Sequence, residues 1–577
     1  MRLAAILGIS TTLFGCGLPL ADISFDGPVN TCTASTSCAD GAACVDGICV
    51  ATSYDLEGLL VEVRPRSDAI FGASTSHLFD PTAAQITLTA EDGAPFVAVM
   101  NPKLPETAAI RHGLVRLHKQ TNCSVAEDQS IPARVTFYRA APYAGFPFDP
   151  IAINSGANNE IDVDLVPGTY DVYIEPQVVV GCNDDKPFPP VYLPAQSIPM
   201  GGALIWDLPV VGTLTSTIKD FGDAIDGPWK IDLLEPTRGL PVSANAVLEK
   251  LAAPEDGYVV KAQIAWPDGP PPIVRLAPAS TEIGANARPT AYWTIGEMKG
   301  TETNALVDFT VAELYKAPVQ VNVNVLGSDS FTRIRATFTV QSSGLAGPNA
   351  NNATFTIPSL ETDAQGVLEA FLPPGNYDFR ATPVDNGLAI TDHAYTVNAQ
   401  ASCFCGQQFQ LEPKPSLSAA VKTPSGERVR GTDVTIAPSL LTPRLFWKDA
   451  HQLAPMTARP VLSSTSDDGN FTVRIDPGLA DLVIPTNPSS NYPWLVRPRL
   501  STEADTEMGS LALTYPAVLR GTVRDANGAP VANAEVNAWF PVRDPAATSG
   551  LAGTVIKIAT TQTDSSGNYR LLLPASL

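Results

Sequence analysis

Apolar and polar residues alternate along most of the chain beyond residue 50. Val319–Val325 has valine at every second position, and Ala336, Phe338 and Val340 continue the pattern with polar residues between them. A period of two is typical of a strand with one buried face. The pattern therefore predicts an all-β protein. Its best helical candidate is the short segment Asn245–Ala252, which lacks a capping residue.

A polar turn recurs along the chain and gives it an organisation. Copies start at Thr362, Thr465 and Thr563, and each ends in a glycine that precedes an alternating strand and a proline. An eroded copy from Glu160 keeps only the later part, Pro-Gly-x-Tyr-Asp. Aspartate and glycine favour tight turns, while proline ends strand pairing. We therefore expect each copy to form a β-hairpin.

Length and repeats together predict a tandem array of β-sandwich domains, immunoglobulin-like or transthyretin-like, after a small disulfide-rich module. A chain of 577 residues is long enough for several domains. The expected segments are a signal peptide (1–15), a tether (16–31), a cysteine-rich module (32–50) and five β units (54–205, 206–314, 315–413, 414–515 and 516–577). The last unit ends soon after Tyr569, so we expect it to lack a final strand or to lie at a truncated end.

The first fifteen residues predict export. Arg2 precedes an uncharged apolar run that is too short to cross a bilayer, which needs about 20 apolar residues. Leu13-Phe14-Gly15-Cys16 resembles the lipobox of bacterial lipoproteins, although the family usually has a smaller residue than Phe14. The resemblance implies that Cys16 is lipid-modified. An ordinary secretory signal is the alternative.

The residue after Cys16 bears on where such a lipoprotein would reside. Gly17 stands where inner-membrane lipoproteins of well-studied bacteria have aspartate, so the resemblance implies the outer membrane. Whether the array faces the periplasm or the outside stays open. Several acyl chains on one cysteine suffice for stable anchoring.

The cysteine count agrees with an anchor at Cys16. Lipidation of that residue leaves eight of the nine cysteines, an even number that suits disulfides. The four that lie close together are Cys32, Cys38, Cys44 and Cys49. Two disulfides are the expected staple for a segment too short to form a core, and the spacing does not match the paired motif of zinc ribbons. This segment resembles the small cysteine-rich modules that follow the anchor in bacterial surface proteins, especially of myxobacteria-like organisms.

The other four cysteines are further disulfide candidates. Cys123 and Cys182 fall within one expected domain and are candidates for a pair. Cys403 and Cys405 could form a local bridge or contribute to two separate bridges. A redox motif would have two residues between its cysteines, so a structural role is favoured.

The C-terminal unit resembles a known family. The matching residues are Gly521, Val523, Asp525, Gly528, Pro530, Val531, Ala534, Val536, Thr563, Asp564, Gly567 and Tyr569. They stand as in carboxypeptidase-regulatory-like domains, and a weaker match includes Val421, Gly426 and Val434. The resemblance implies a transthyretin-like sandwich without catalytic activity, used for structure, adhesion or ligand display.

Charge and motifs exclude several function classes. The chain has 59 acidic and 37 basic residues, and we find no basic stripe, so nucleic acid is not an expected partner. The five histidines are His77, His112, His118, His393 and His451. None has the glutamate three residues later that a zinc carboxypeptidase of the kind for which the family is named requires, and no nucleophile elbow or phosphate loop appears. We therefore predict a non-enzyme with no catalytic residue, metal or cofactor.

Two features could bind ligands. Trp539 falls on the less apolar face of its strand, and an exposed indole can stack on a sugar ring. The acidic turns at Asp467-Asp468 and Asp184-Asp185 could hold calcium, although solvated turn caps are the commoner explanation. The expected function is that of a non-catalytic envelope lipoprotein whose β-sandwich array acts as a structural spacer, adhesion or ligand-display protein. Its expected partners are the membrane, through the lipid, and an envelope protein or polysaccharide. The alternative is a carbohydrate- or peptide-binding surface protein with a defined groove.

Overall fold

A computed structural model of the chain describes most of its residues. The described ranges are 27–33, 38–54, 58–65, 76–79, 94–104, 108–117, 129–140, 148–177, 187–198, 204–219, 229–250, 258–266, 272–278, 289–294, 306–310, 317–325, 334–345, 353–398, 404–439, 458–543 and 553–577. No helix in these ranges is long and apolar enough to span a membrane. The secondary structure is built of strands, with short 3-10 turns at Ala157–Asn159 and Pro488–Ser490.

The N-terminal part contains five strands. They are β1 (Ala42–Val45), β2 (Ile48–Ala51), β3 (Leu60–Arg64), β4 (His77–Phe79) and β5 (Val97–Val99). β1 and β2 form an antiparallel pair by themselves. The other three join strands from the far end of the chain.

Sandwich one and sandwich two follow, each with seven consecutive strands in its described residues. Sandwich one contains β6 (Ala108–Leu117), β7 (Ala133–Arg139), β8 (Ile151–Asn154), β9 (Glu160–Leu165), β10 (Gly168–Pro176), β11 (Val191–Ile198) and β12 (Ile205–Leu208). Sandwich two contains β13 (Gly212–Lys219), β14 (Trp229–Leu234), β15 (Ser243–Lys250), β16 (Tyr258–Ile264), β17 (Ile273–Pro278), β18 (Thr290–Thr294) and β19 (Leu306–Thr310). The expected helix at Asn245–Ala252 is wrong, because β15 covers most of that segment and pairs with β16.

The described residues of sandwich three and sandwich four also form seven strands each, and those from 516 onward form four more. Sandwich three contains β20 (Ala317–Val325), β21 (Ala336–Leu345), β22 (Ala353–Glu361), β23 (Val367–Leu372), β24 (Gly375–Pro383), β25 (Thr391–Val397) and β26 (Phe404–Leu411). Sandwich four contains β27 (Ser416–Lys422), β28 (Asp433–Pro438), β29 (Val461–Ser464), β30 (Asn470–Arg474), β31 (Leu479–Ile484), β32 (Leu495–Ser501) and β33 (Thr506–Ala512). The last strands are β34 (Pro516–Thr522), β35 (Glu535–Arg543), β36 (Gly553–Gln562) and β37 (Asn568–Pro574).

Sandwich four shows the common topology. Its first sheet has the order β30-β27-β33 and its second has the order β29-β28-β31-β32. The first and last strands, β27 and β33, pair in parallel, and the other neighbours are antiparallel. Sandwiches one and three have the same order. The expected fold class, tandem β-sandwiches after a disulfide-stapled module, is therefore confirmed.

Sandwich five is built from two distant parts of the chain. β37-β34-β5 form one sheet, and β36-β35-β3-β4 form the other. β5 pairs in parallel with β34, as β33 does with β27, and β3 pairs antiparallel with β35, as β31 does with β28. The sequence-based boundaries placed residues 54–104 with the first unit, which is wrong because these strands complete the last one.

Sandwiches two and three share a sheet. β18 pairs antiparallel with β22, which joins β14-β17-β18 to β22-β21-β24-β25 in one seven-stranded sheet. A single apolar core extends through both units, from Leu214 and Val274 to Phe338 and Phe409. These two units are therefore coupled more closely than a linker would allow.

The recurrent polar turn connects the two sheets of a sandwich. It links β22 to β23, β29 to β30 and β36 to β37, and in each case the two strands lie in different sheets. The hairpin prediction is therefore wrong. The first threonine explains the recurrence, because the hydroxyls of Thr362, Thr465 and Thr563 accept hydrogen bonds from backbone N–H groups at the start of β21 and one residue before β28 and β35.

The Pro-Gly-x-Tyr part of the repeat fixes the next bend. The Tyr170 hydroxyl donates to the carbonyl of Val166, and the Tyr377 hydroxyl donates to that of Pro373. Both tyrosines are almost fully buried. A buried hydroxyl needs a partner, so each tyrosine ties its own bend to the core.

Candidate functional sites

The cysteine-rich module is closed by two disulfides. They join Cys32 to Cys44 and Cys38 to Cys49. The sulfur atoms of Cys32, Cys38 and Cys49 lie within 4.8 Å of one another, but all three are in disulfides, so they do not offer the thiolates that a zinc site needs. The module packs on sandwich five through Val50 and Val518.

Several expected site residues lie outside the described residues. These are the signal peptide, Cys16, Cys123, Cys182, Cys403 and the acidic turn at Asp184-Asp185. Cys405 is in β26, and its side chain is not among those described. Lipidation and the pairing of these cysteines therefore stay predictions.

Trp539 belongs to a buried polar cluster at the junction of sandwiches five and one. Its indole N–H donates to Oε2 of Glu62 at 2.8 Å, and Nδ2 of Asn537 donates to the same oxygen at 3.1 Å. The other carboxylate oxygen accepts from Arg64 and Ser76. Glu62 is fully buried and Trp539 is half-buried. This placement gives Trp539 a packing role in the junction.

Sandwich one covers this cluster. The Arg139 guanidinium donates to the carbonyl of Ser76 at 2.7 Å and lies 4.4 Å from the centre of the Phe148 ring. Phe148 packs with Leu60 and Trp539. A charge as deeply buried as that of Glu62 requires paired donors, and four side chains supply them.

The surroundings of His77 determine its protonation state. It is 3% exposed on β4, and burial, together with the nearby Arg139, lowers its pKa to about 4. It is therefore neutral at neutral pH. His393 contacts the Phe409 ring edge-to-face at 4.6 Å, and the side chains of His112, His118 and His451 lie outside the described residues.

A second buried carboxylate holds sandwich three to sandwich four. Asp476 is fully buried and accepts from the Arg459 guanidinium at 2.7 and 2.8 Å and from the Ile390 backbone N–H at 3.0 Å. Burial alone would raise the pKa of Asp476, but these hydrogen bonds and the Arg459 charge lower it. Arg459 also donates to the carbonyls of Pro383 and Leu388 in sandwich three. One ionised pair thus joins two units.

A cleft opens between sandwiches four and five. Its volume is about 370 Å³, within the usual range for small-molecule sites. Tyr492 and Trp494 line it from sandwich four, and Gln562, Asn568 and Arg570 line it from sandwich five. Aromatic rings beside amide and guanidinium groups can both stack on a ligand and hydrogen-bond to it.

The walls of the cleft are held in place by local bonds. Arg570 donates to Oδ1 of Asn491 at 3.0 Å, which bridges the two sandwiches. Backbone and side-chain N–H groups of Asn568 donate to Asp564, and the pKa of that carboxyl is lowered, chiefly by the Asn568 backbone N–H. Asp564 is therefore ionised at neutral pH, and the cleft offers both charge signs to a ligand.

The acidic turn at Asp467-Asp468 has a simpler explanation than calcium. The carboxylate of Asp468 forms an ion pair with Arg428, and both side chains are exposed. The neighbouring Ser466 hydroxyl accepts from the Asn470 backbone N–H, which closes the turn. These contacts describe a solvated turn cap.

Comparisons with known proteins concern the architecture. No family model matches the chain, and a search of curated proteins finds no match. A streptococcal ancillary pilin is 13% identical over 53% of this chain and 99% of the pilin, with a TM-score of 0.21. The TIE protein of Bacillus anthracis is 10% identical over 71% of this chain and 76% of its own, with a TM-score of 0.16.

A third solved structure is similar over a smaller part. The shaft pilin spaA from Lactobacillus rhamnosus GG is 13% identical over 34% of this chain and 96% of the pilin, with a TM-score of 0.19. Likeness of this degree does not extend to a binding activity or an assembly.

Proposed function

We propose that this protein is a non-catalytic lipoprotein of the cell envelope, anchored through Cys16, whose β-sandwich array serves as a structural spacer and displays binding surfaces. The observation that carries the proposal is the way each sandwich is fixed to the next. A spacer must keep its shape under load. Buried ion pairs and a shared sheet make the connection between two sandwiches rigid, whereas a flexible linker would leave them free to move.

The junction of sandwiches one and two illustrates this fixation. The Arg238 guanidinium pairs with Asp171 at 2.8 Å and lies 4.5 Å from the centre of the Tyr138 ring. The Tyr173 hydroxyl donates to the carbonyl of Pro241 at 2.7 Å. Together with Asp476 and the shared seven-stranded sheet, these contacts support a stiff array.

Outer-membrane anchoring is tested by removing the lipidated residue. Cys16→Ala should move the protein from the membrane fraction to the soluble fraction, because no other part of the proposal supplies a membrane contact. Cys123→Ala is the matched control and should stay with the membrane. Unchanged membrane fractionation of the Cys16 variant would refute the anchor, and separation of inner and outer membranes tests the location.

The cleft between sandwiches four and five favours a second candidate function, which is saccharide binding. Sugars combine apolar ring faces with many hydroxyls, and the cleft combines Trp494 and Tyr492 with Gln562, Asn568 and Arg570. Because the Trp539 indole N–H is bonded to the buried Glu62, we propose Trp494 as the stacking residue in its place.

Saccharide binding is tested with a glycan array and purified protein. Arg570→Ala should weaken any detected binding about tenfold, the equivalent of about 1.4 kcal/mol. Arg520→Ala is the matched control, because Arg520 is the register partner of Arg570 on β34 but lies outside the cleft lining. Equal binding by both variants would refute the cleft as the site, while leaving the spacer proposal intact.

A further inference from the structure

Sandwich five is the one described unit whose strands are not consecutive. Its acceptor part is β34–β37, and its donor segment, residues 58–104, supplies β3, β4 and β5. Between the two parts lie all four other sandwiches. The donor segment occupies the places that β31, β32 and β33 occupy in sandwich four.

The donor segment fills the core of sandwich five. Its buried apolar residues are Leu59, Val61, Val63, Phe96, Ala98, Met100 and Leu104, all at most 7% exposed. They pack on Leu519, Val536, Ala538 and Leu571 of the acceptor part. Without the donor segment these four residues would face solvent, and the edges of β34 and β35 would carry unpaired backbone groups.

The contacts between the two parts are specific in register. A Cβ on Gly521 would lie 1.7 Å from the Met100 carbonyl oxygen, so only glycine lets the donor backbone approach β34 this closely. The Tyr569 hydroxyl donates to that same oxygen at 2.9 Å. On the other sheet, Asn537 and Trp539 donate to Glu62. The contacts of Gly521 and Tyr569 are to a backbone carbonyl and fix the position of β5, whereas the contacts of Asn537 and Trp539 also require a glutamate at position 62.

We propose that the donor segment of one copy of this protein completes sandwich five of a second copy. The strand pairs, apolar contacts and hydrogen bonds are then those of the closed chain, made between copies. Residues 105–107 are all that separates Leu104, in the core of sandwich five, from β6 of sandwich one. Exchange of such a terminal segment between identical copies is domain swapping, and it needs no contact that the closed chain lacks.

The geometry of exchange determines what assembles. Each copy has a donor segment before sandwich one and an acceptor part after sandwich four, so donor and acceptor surfaces differ. Such a contact closes into a ring or continues as a head-to-tail chain. Copies held at high density should favour exchange, because its equilibrium rises with concentration whereas closure within a chain does not.

The test uses two full-length variants with different tags. One carries Val61→Cys and the other Ala538→Cys, which are register partners across β3 and β35. The two are mixed and unfolded without reductant at acidic pH, where thiols are protonated and the native disulfides persist. They are then refolded together in air-saturated buffer, whose oxygen accepts the two electrons released when the new disulfide forms. Mass spectrometry should then find a disulfide-linked peptide between residue 61 of one copy and residue 538 of the other, about tenfold more abundant relative to monomer after a tenfold rise in concentration.

A matched pair controls for non-specific contact. Leu519→Cys and Leu571→Cys are also buried register partners, but both belong to the acceptor part, so a mixed sample should give no linked peptide. A single chain with both Val61→Cys and Ala538→Cys should form the link within itself. If that chain forms the link while the mixed copies give no more than the control pair at any concentration, the proposal is overturned.

A second measurement does not depend on the cysteine variants. Wild-type copies with two different tags are unfolded and refolded together, then purified through one tag. Retention of the other tag that increases with refolding concentration supports exchange. Absence of the second tag at every concentration, with native circular dichroism, contradicts it.

Discussion

Sandwich four and sandwich five have the same strand order but different chain continuity. In sandwich four, seven strands follow one another between residues 416 and 512, whereas sandwich five combines residues 60–99 with residues 516–574. The turn chemistry is the same, since Thr465 and Thr563 make equivalent bonds to the facing strand. The strand order of a sandwich therefore depends on the burial of its two apolar sheet faces. It does not require the strands to be consecutive in the chain.

Discontinuity has a cost that the other sandwiches offset. Asn537 and Glu62 are 475 residues apart, and Thr432 and Thr465 are 33 apart. For a flexible chain each doubling of loop length costs about 0.6 kcal/mol, so this difference would amount to about 2 kcal/mol. When the four intervening sandwiches are folded, they reduce that cost because they fix the positions of both parts.

The largest expected effect on the free energy of unfolding comes from removing a buried carboxylate, either Asp476 of sandwich four or Glu62 of sandwich five. Asp476→Ala leaves Arg459 and the buried Lys414 without their counter-charge, so we expect a loss of about 3–5 kcal/mol. Glu62→Ala should cost less, about 2 kcal/mol, because Arg64 is 32% exposed and can be solvated. Hydrogen exchange should show the effect of Asp476→Ala at the junction of sandwiches three and four. The effect of Glu62→Ala should appear in both parts of sandwich five. Equal losses at the same peptides would contradict the comparison.

The second expected effect depends on pH. The pKa of His77 is about 4 in the folded state and about 6.5 when unfolded, so the unfolded state takes up the proton first as pH falls. Stability is therefore fully present above pH 6.5 and decreases towards pH 4, by about 3 kcal/mol. Denaturant unfolding that reports on sandwich five should show this slope, and His77→Asn should remove it. Sandwich four has no histidine in its described residues, and the lowered pKa of Asp476 reduces its stability only as pH falls through the usual aspartate range, so its slope should begin at lower pH.

The third effect is steric. Gly521→Ala places a methyl group against the Met100 carbonyl, so β5 should separate from β34 at a cost of about 2 kcal/mol. Gly156→Ala is the control, because its new Cβ would have its nearest neighbour at 3.7 Å. Faster amide exchange in residues 97–99, with no change in β33, would agree. Full protection of residues 97–99 in the Gly521 variant would argue against the close approach.

The smallest expected effect on stability comes from removing the hydroxyl of a buried tyrosine. Tyr569→Phe removes a bond to the donor segment, and Tyr377→Phe removes a bond within sandwich three. Each should cost about 1 kcal/mol, since a buried carbonyl loses its donor. Thermal unfolding should show that only Tyr569→Phe lowers the transition assigned to sandwich five. A matching shift from Tyr377→Phe would mean that the two units unfold together.

Local pattern was enough to predict the all-β class and several strands. The alternation at Val319–Val325 lies within β20, and most of the alternating face of Ala534, Val536, Ala538 and Phe540 lies in β35. The disulfide-stapled module was also evident from cysteine spacing. In these segments the decisive contacts are close in sequence or are read directly from which side of a strand is apolar.

Pairing between strands that are distant in the sequence could not be predicted from local pattern. β4 and β5 have three residues each, too few for a clear period, and nothing local marks Val61 as the partner of Ala538. The hairpin interpretation failed because the same turn residues also serve a crossing between sheets. The cleft could not be predicted from the sequence, because Trp494 and Arg570 come together only when sandwiches four and five pack against each other.

The split sandwich implies a specific circular permutation. Opening the chain between Leu104 and Ala108 and joining residue 577 to the residues that precede β3 would place all seven strands of sandwich five in one continuous stretch. Such a permuted gene would encode five consecutive seven-stranded units. The natural order instead divides one fold between residues 58–104 and 516–574, so the ribosome must synthesise the four other sandwiches before that fold can form.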